Sequence, residues 1–152
     1  MELRPWLLYL HVASVVVWVG GMFFAYVCLR PVAAAQLQPP QRLALWRGVF
    51  DRFLNWVWVA VALILTSGLA MMLQAGFKSA PLNWHIMFVL GLLMMLIFAL
   101  VYFVPYRMLG RACDAQNWPA GAAALGQIRK LVGLNLLLGL LNIGVATLGR
   151  GM

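Results

Sequence analysis

Four long apolar segments constrain this chain more than any other feature. They occupy residues 6–29, 53–73, 82–104 and 131–148, and each is close to the roughly 20 residues that an α-helix needs to cross a bilayer. Only 9% of the residues are charged and 65% are hydrophobic, so the chain has too little charge to cover a water-exposed globule of its size. The sequence therefore predicts an all-α integral membrane protein, with four transmembrane helices in an up-and-down bundle.

We interpret residues 1–152 as a single transmembrane domain. Its predicted spans cover about 5–29, 53–76, 82–104 and 130–149, each within reach of the bilayer thickness.

The segment between the first two spans has a pattern of its own. Pro39 and Pro40 break the chain, and apolar residues then recur at helical spacing with Arg47 and Arg52 on the polar side. This pattern predicts an interfacial amphipathic helix that runs into the second span. Its apolar positions are Leu45, Trp46, Val49, Phe50 and Phe53.

The basic residues are divided unequally between the two sides of the predicted bundle. Arginine and lysine accumulate on the cytoplasmic side of membrane proteins, and the first and third loops contain most of them. The sequence thus predicts a multi-pass protein of the bacterial inner membrane with both termini in the periplasm. Anionic lipid accounts for the net charge of +8, so the bilayer, and no nucleic acid, is the expected partner. The loop residues are Arg30, Arg42, Arg47, Arg52, Arg107, Arg111, Arg129 and Lys130, against Arg4, Lys78 and Arg150 on the other side.

Acidic residues are absent from the predicted spans. The three carboxylates are Glu2, Asp51 and Asp114, all outside them. A carboxylate proton relay, a paired-carboxylate hydrolase and a site for a hard cation are therefore disfavoured. Whether the protein is an enzyme stays open at this point.

His11 and His85 are the two histidines of the chain, and both fall inside spans. Counted from Pro5 and Pro81, where their helices begin at the outer face, they differ in depth by only about 3 Å. The first and third helices of an up-and-down bundle lie across the core from one another. Paired imidazoles there would take both axial positions of a haem or hold a metal ion.

Small and polar residues share helical stripes with these positions. Ser14 follows His11 by one turn, and Asn142 lies on a stripe with Asn135 in the fourth span. Such stripes predict faces that point into the bundle. Together with Ser67 in the second span, Ser14 and Asn142 are the candidate cofactor-binding or supporting residues around the histidines.

Methionines near the outer face offer a different chemistry. Met71, Met72 and Met87 lie close to the predicted depth of the histidines, and thioethers are soft ligands suited to copper. Methionine is also a common filler of irregular apolar space, so a purely structural interpretation stays open for all three.

Several motifs resemble the copper-resistance D (CopD) family of bacterial inner-membrane proteins, and the first span is similar, more distantly, to the HemJ family of haem-binding membrane proteins. The resemblance implies a bundle that handles copper or haem, with His11 as the position carried over from the family pattern. Larger CopD members have additional helices and periplasmic copper-protein partners. The motifs are Leu10-His11, Val17-Trp18-Val19-Gly20-Gly21-Met22-Phe23, Leu29-Arg30-Pro31, Leu45-Trp46, Val49-Phe50, Arg52-Phe53, Trp84-His85 and Gly149-Arg150.

The leading hypothesis from the sequence is one haem b, bound by His11 and His85 near the periplasmic face, for electron transfer or redox sensing with a periplasmic partner. The first alternative is a copper-handling protein or importer that uses both histidines and nearby methionines, served by a periplasmic copper partner. The second is a structural or assembly subunit, in which polar residues only join helices. The sequence leaves open whether the chain forms a homo-oligomer.

Overall fold

The computed structural model describes residues 2–152, and every regular element in that range is helical. A π-helical turn, Phe24–Leu29, joins the first two helices, and a short 3₁₀ turn, Gly149–Gly151, follows the last. The α-helices are α1 (Arg4–Phe23), α2 (Arg30–Gln36), α3 (Pro39–Ala75), α4 (Leu82–Phe103), α5 (Pro105–Asp114) and α6 (Trp118–Leu148).

Four helical segments are long and apolar enough to cross a membrane, as predicted: Arg4–Gln36, Pro39–Ala75, Leu82–Asp114 and Trp118–Gly151. They contain 33 to 37 residues each, which corresponds to about 50–55 Å at 1.5 Å per residue. The hydrocarbon core of a bilayer is only about 30 Å thick. Each segment therefore covers its predicted span and continues well beyond it.

The two ends of the bundle differ in what they contain. We call one the histidine end, where the connection 76–81 and residues 4 and 150 lie. The other is the arginine end, where the connections 37–38 and 115–117 lie. Because the extra helical turns are α2, α5 and the first turns of α3 and α6, the bundle extends beyond the apolar spans at the arginine end.

The amphipathic segment before the second span is helical and runs into that span as the start of α3, as predicted. Leu43, Trp46 and Phe50 on its apolar face are buried inside the protein. The Cys113 thiol of α5 approaches the Leu43 carbonyl, and the Leu43 side chain meets Gly121 of α6. Since α5 and α6 extend beyond the apolar layer, they supply the surface that the sequence pattern assigned to lipid headgroups.

Exposed apolar residues mark the lipid-facing surface. Val89, Leu96 and Leu137 lie within the spans and are 64%, 69% and 64% exposed. Lipid is as apolar as these side chains, so it covers them without the cost that water would impose. The faces predicted to point inward are buried, with Ser14 and Asn135 at 5% and 3% exposure.

The pairing of the helices determines where the candidate site lies. α1 packs mainly along α3, and α4 packs mainly along α6. At the arginine end the Pro105 ring, which interrupts helical hydrogen bonding, separates α4 from α5 at Val104. At the histidine end α1 and α4 face each other across the bundle, and a cavity separates them.

Candidate functional site

A cavity of about 820 Å³ lies at the histidine end, between α1 and α4 and beside α6 and the end of α3. Its volume falls within the range of about 300–1,000 Å³ that is typical of ligand sites. Five of the nine methionines of the chain line it together with one histidine. These residues are His11, Met71, Met72, Met87, Met94 and Met95.

His11 is held in one orientation by Ser67. The distance from His11 Nδ1 to Ser67 Oγ is 3.0 Å, and the same hydroxyl donates its hydrogen to the Leu63 carbonyl at 2.5 Å. Because that hydrogen is already used, Ser67 Oγ accepts the hydrogen bond from Nδ1–H. When the imidazole is neutral, this hydrogen bond leaves Nε2 unprotonated with a free electron pair, which is the form that binds a metal ion.

Gly68 makes room for this arrangement. A Cβ atom added to Gly68 would lie 3.2 Å from His11 Cε1, which is tighter than an ordinary van der Waals contact. The adjacent pair Ser67 and Gly68 therefore supplies both the hydrogen bond and the space for the imidazole.

His85 is half-buried and is not among the residues that line the cavity. Its neighbours Trp84 and Met87 do line it. Each step along a helix rotates the side chain by about 100°, so His85 lies on a different side of α4 from Trp84. The matched depth of the two histidines therefore does not bring them to one cavity face, and the predicted pairing of His11 with His85 gains no support from the structure.

Two asparagines of α6 fix the cavity face of α4. Asn142 Nδ2 donates to the Met87 carbonyl at 3.3 Å, and Asn135 Nδ2 donates to the Met94 carbonyl at 3.1 Å. Each hydrogen bond connects α6 to the backbone of α4 at a methionine that lines the cavity. Asn142 thus lines the cavity, and it supports the residues that carry the thioethers.

Asn83 has a similar place at the outer end of the cavity, and the sequence reading missed it. Its Nδ2 lies 3.5 Å from the Val145 carbonyl, and the side chain is buried and lines the cavity. Its spacing of four residues before Met87 on α4 is the signal that would have revealed it. The Oδ1 atoms of Asn83, Asn135 and Asn142 are buried without a hydrogen-bond partner among residues 2–152.

The rim of the cavity is positively charged. Arg4 and Arg150 both line it, and the Arg4 guanidinium lies 5.8 Å from the centre of the Trp84 ring. A bare cation entering here would approach two like charges, whereas an anionic carrier would be attracted.

Ser14 is buried, but it is not a lining residue and makes no side-chain hydrogen bond within the described range. Residues 2–152 contain no cluster of three or more histidine, cysteine, aspartate or glutamate side chains that would hold a metal ion. The donors that the structure brings together are therefore one imidazole and several thioethers.

Comparison with known proteins identifies the family. The family model described as CopD, copper resistance protein D, matches residues 47–148, two thirds of the chain. The chain belongs to this family. The match extends from the first third of α3 to the end of α6, and it leaves His11 and the first span outside.

No curated protein and no solved structure matches the chain, and the more distant resemblance to HemJ is not confirmed. This CopD-family member is thus a multi-pass membrane protein whose family match includes Ser67, Met71, Met72 and Met87. The resemblance noted in the sequence covered the first two spans best, whereas the family match covers the second, third and fourth spans. His11 enters the site through its geometry alone.

Proposed function

We propose that this CopD-family protein handles copper in the membrane and takes Cu(I) as its cargo into the cavity at the histidine end. One observation carries the proposal: the His11 imidazole and five thioethers line the same cavity. Imidazole and thioether groups suit Cu(I), whereas Mg²⁺ and Ca²⁺ require oxygen ligands. No carboxylate lines the cavity.

The donors lie at neighbouring depths. His11 is seven residues from the start of α1 and Met87 five from the start of α4, so both lie about 8–10 Å below the helix ends. Met71 is one turn beyond Ser67 toward the rim, since α3 runs toward the histidine end. We propose that His11 and Met87 are the main ligands, and that Met71 and Met72 receive copper nearer the rim.

Met94 and Met95 lie two turns deeper along α4 than Met87. A series of thioethers at successive depths allows a soft cation to move between sites without leaving its preferred ligands. This arrangement favours passage of copper into the bundle over a single closed storage site.

The charged rim indicates how copper arrives. Arg4 and Arg150 repel a bare cation and attract an acidic surface. We therefore propose that a carrier protein with an acidic docking surface delivers copper to the histidine end.

Haem b, the leading hypothesis from the sequence, has weaker support. The bis-histidine site of that hypothesis requires both imidazoles in one cavity, and of the two histidines only His11 lines it. The family match points to copper, and the thioethers agree with it.

The proposal is tested by measuring Cu(I) binding to the purified protein in detergent, under reducing conditions, in competition with a coloured Cu(I) chelator. We expect about one tightly bound copper per chain. Both His11→Ala and Met87→Leu should lower the affinity at least about tenfold, since each removes a direct ligand. Met108→Leu and His85→Ala, which change residues outside the cavity, should bind like the unchanged protein.

The same preparation separates the alternatives. If protein made with ample haem shows a Soret band that His11→Ala abolishes, and binds no Cu(I), the copper proposal is wrong and the haem hypothesis replaces it. If it binds neither, or if the control variants lose copper as strongly as His11→Ala, the cavity is not a copper site and the polar residues have a structural role.

A further inference from the structure

A second cavity, of about 290 Å³, lies at the arginine end between α2, α3 and α6. Three arginines from three different helices line it: Arg30, Arg42 and Arg129. No carboxylate lines it, and the one ion pair among residues 2–152 joins Arg47 to Asp114 elsewhere. Three positive charges therefore face one small space without a negative charge from the chain. We call this cavity the arginine pocket.

Apolar and aromatic side chains form the rest of its wall. The Arg30 guanidinium lies over the Tyr26 ring at 5.1 Å, and the rings of Trp46 and Phe50 stack at 5.2 Å. All of these residues line the arginine pocket. A ligand that fits this wall carries both a negative charge and an apolar part.

The charged and the apolar side chains of the arginine pocket lie at different depths along the bundle. Tyr26 precedes Arg30 by one turn, and this part of the chain runs toward the arginine end. Trp46 follows Arg42 by one turn, and α3 runs away from that end. In both segments the arginine is therefore farther from the bilayer centre than the aromatic residue.

The third segment has the same order. Val132 follows Arg129 by three residues on α6, which also runs away from the arginine end. Arg30 and Arg129 each stand next to a predicted apolar span, at 5–29 and 130–149. This is the level at which phospholipid headgroups meet the hydrocarbon layer.

We propose that the arginine pocket binds the phosphate headgroup of one anionic phospholipid per chain. Arginine is well suited to phosphate, because its planar guanidinium donates two parallel hydrogen bonds to the phosphate oxygens. Basic pockets between transmembrane helices bind the headgroups of anionic lipids in this way. The volume accommodates a headgroup, the adjacent aromatic residues contact the glycerol region, and the acyl chains stay in the bilayer. This site is independent of the copper proposal.

The test uses the full chain, purified and stripped of lipid in detergent, with binding followed by native mass spectrometry. The probes are phosphatidylglycerol and, with the same acyl chains, zwitterionic phosphatidylcholine. We expect one phosphatidylglycerol to bind at least about tenfold more tightly than phosphatidylcholine, since each basic residue contributes about 1 kcal/mol toward anionic lipid and about 1.4 kcal/mol corresponds to tenfold. The triple variant Arg30→Gln, Arg42→Gln and Arg129→Gln should lose this preference.

The control removes the same charge from the same end. Arg52, Arg111 and Lys130 are exposed and do not line the arginine pocket. The variant Arg52→Gln, Arg111→Gln and Lys130→Gln should keep the preference. An equal loss in both triple variants would mean that general surface charge attracts the lipid, and the proposed site would be wrong.

Two further arms complete the test. Inorganic phosphate at millimolar concentration should not displace the lipid, and displacement would assign the arginine pocket to a soluble phosphate compound. A photoreactive anionic phospholipid applied to the unchanged protein should label residues 25–46 and 122–132. This experiment does not depend on whether the triple variant folds. Labelling confined to other helices would overturn the proposal.

Discussion

The histidine end and the arginine end of this bundle are held together in different ways. At the histidine end α1 and α4 stand apart around a cavity of about 820 Å³. At the arginine end Leu43, Leu109 and Ile128 are each at most 1% exposed, and the arginine pocket there has a volume of only about 290 Å³. The Arg47–Asp114 ion pair and the hydrogen bond from Tyr106 to Asp51 also join α3 to α5 there.

Physical chemistry explains the difference. Lipid gives helices no hydrophobic reason to associate, whereas water does. Because the arginine end extends beyond the apolar spans, burial of its leucines and isoleucine is driven by water. Stable packing at that end allows the histidine end to keep an open cavity.

Aromatic residues separate the two regions. Trp18, which lines the cavity, meets Phe98 with ring centres 6.2 Å apart, and Phe98 meets Trp58 at 4.8 Å. Trp58 in turn contacts Tyr102 at 5.3 Å. The cavity at the histidine end therefore stops at a layer of aromatic rings.

The largest expected effect concerns the orientation of the bundle in the membrane, because each reporter is either active or inactive. We expect a reporter that is active only in the periplasm to work when fused after Met152 and to fail when placed near Gln38, since eight of the eleven basic residues lie at the arginine end. A cytoplasmic reporter at the same two sites should give the opposite pattern. Activity of the periplasmic reporter at Gln38 would reverse the assignment of the two ends.

Stability should depend far more on the arginine end than on the histidine end. We expect Leu109→Ala to lower the free energy of unfolding by about 2–5 kcal/mol, the usual cost of truncating a fully buried leucine. Leu69→Ala, which changes a residue 38% exposed at the cavity, should cost less than about 1 kcal/mol, because detergent replaces the lost contacts. Thermal unfolding in detergent measures both. Equal losses would contradict the division of the bundle into a packed end and an open one.

The close α1–α3 contact and the open α1–α4 side predict different responses to one added methyl group. A Cβ atom at Gly21 would lie 2.2 Å from the Phe53 ring, whereas at Gly91, on the cavity, its nearest neighbour would be Asn142 Nδ2 at 4.0 Å. We expect Gly21→Ala to cost about 1–3 kcal/mol of stability through overpacking. Gly91→Ala should be neutral or slightly stabilising. A neutral Gly21→Ala would show that Phe53 moves aside freely.

The smallest effect concerns two buried serines. Ser67→Ala removes the hydrogen-bond acceptor that orients His11, and loss of such a supporting group lowers metal affinity by about 10–100-fold. We expect about tenfold weaker Cu(I) binding with little change in unfolding temperature. Ser14→Ala removes a buried hydroxyl that makes no hydrogen bond to His11, so copper affinity should stay unchanged. If both variants bind alike, Ser67 does not orient the ligand.

Much of the fold was predictable because the responsible signals are local. Apolar runs of about 20 residues determine helices in lipid, and the stripes through Ser14 and Asn135 correctly predicted inward faces. The beginning of α3 was harder. Its amphipathic pattern is the same whether its apolar face meets lipid headgroups or, as the structure has it, α5 and α6.

The candidate site was predictable only in part. Sequence placed His11, Ser67, Asn142 and the outer methionines at one level, and the structure joins them in or beside one cavity. It also placed His85 there, but His85 does not line that cavity. Depth follows from counting residues, whereas the direction of a side chain depends on the rotation of its helix, which packing alone sets.

The sequence by itself determined the four crossings, their depth and the unequal distribution of arginine, because hydrophobicity, helical rise and charge are properties of consecutive residues. Tertiary structure decided which histidine lines the cavity, why the methionines of α3 and α4 share it, and how Arg30, Arg42 and Arg129 come to line one pocket. Each of these depends on residues distant in the chain. Such residues meet only after the helices have fixed their rotation and their neighbours.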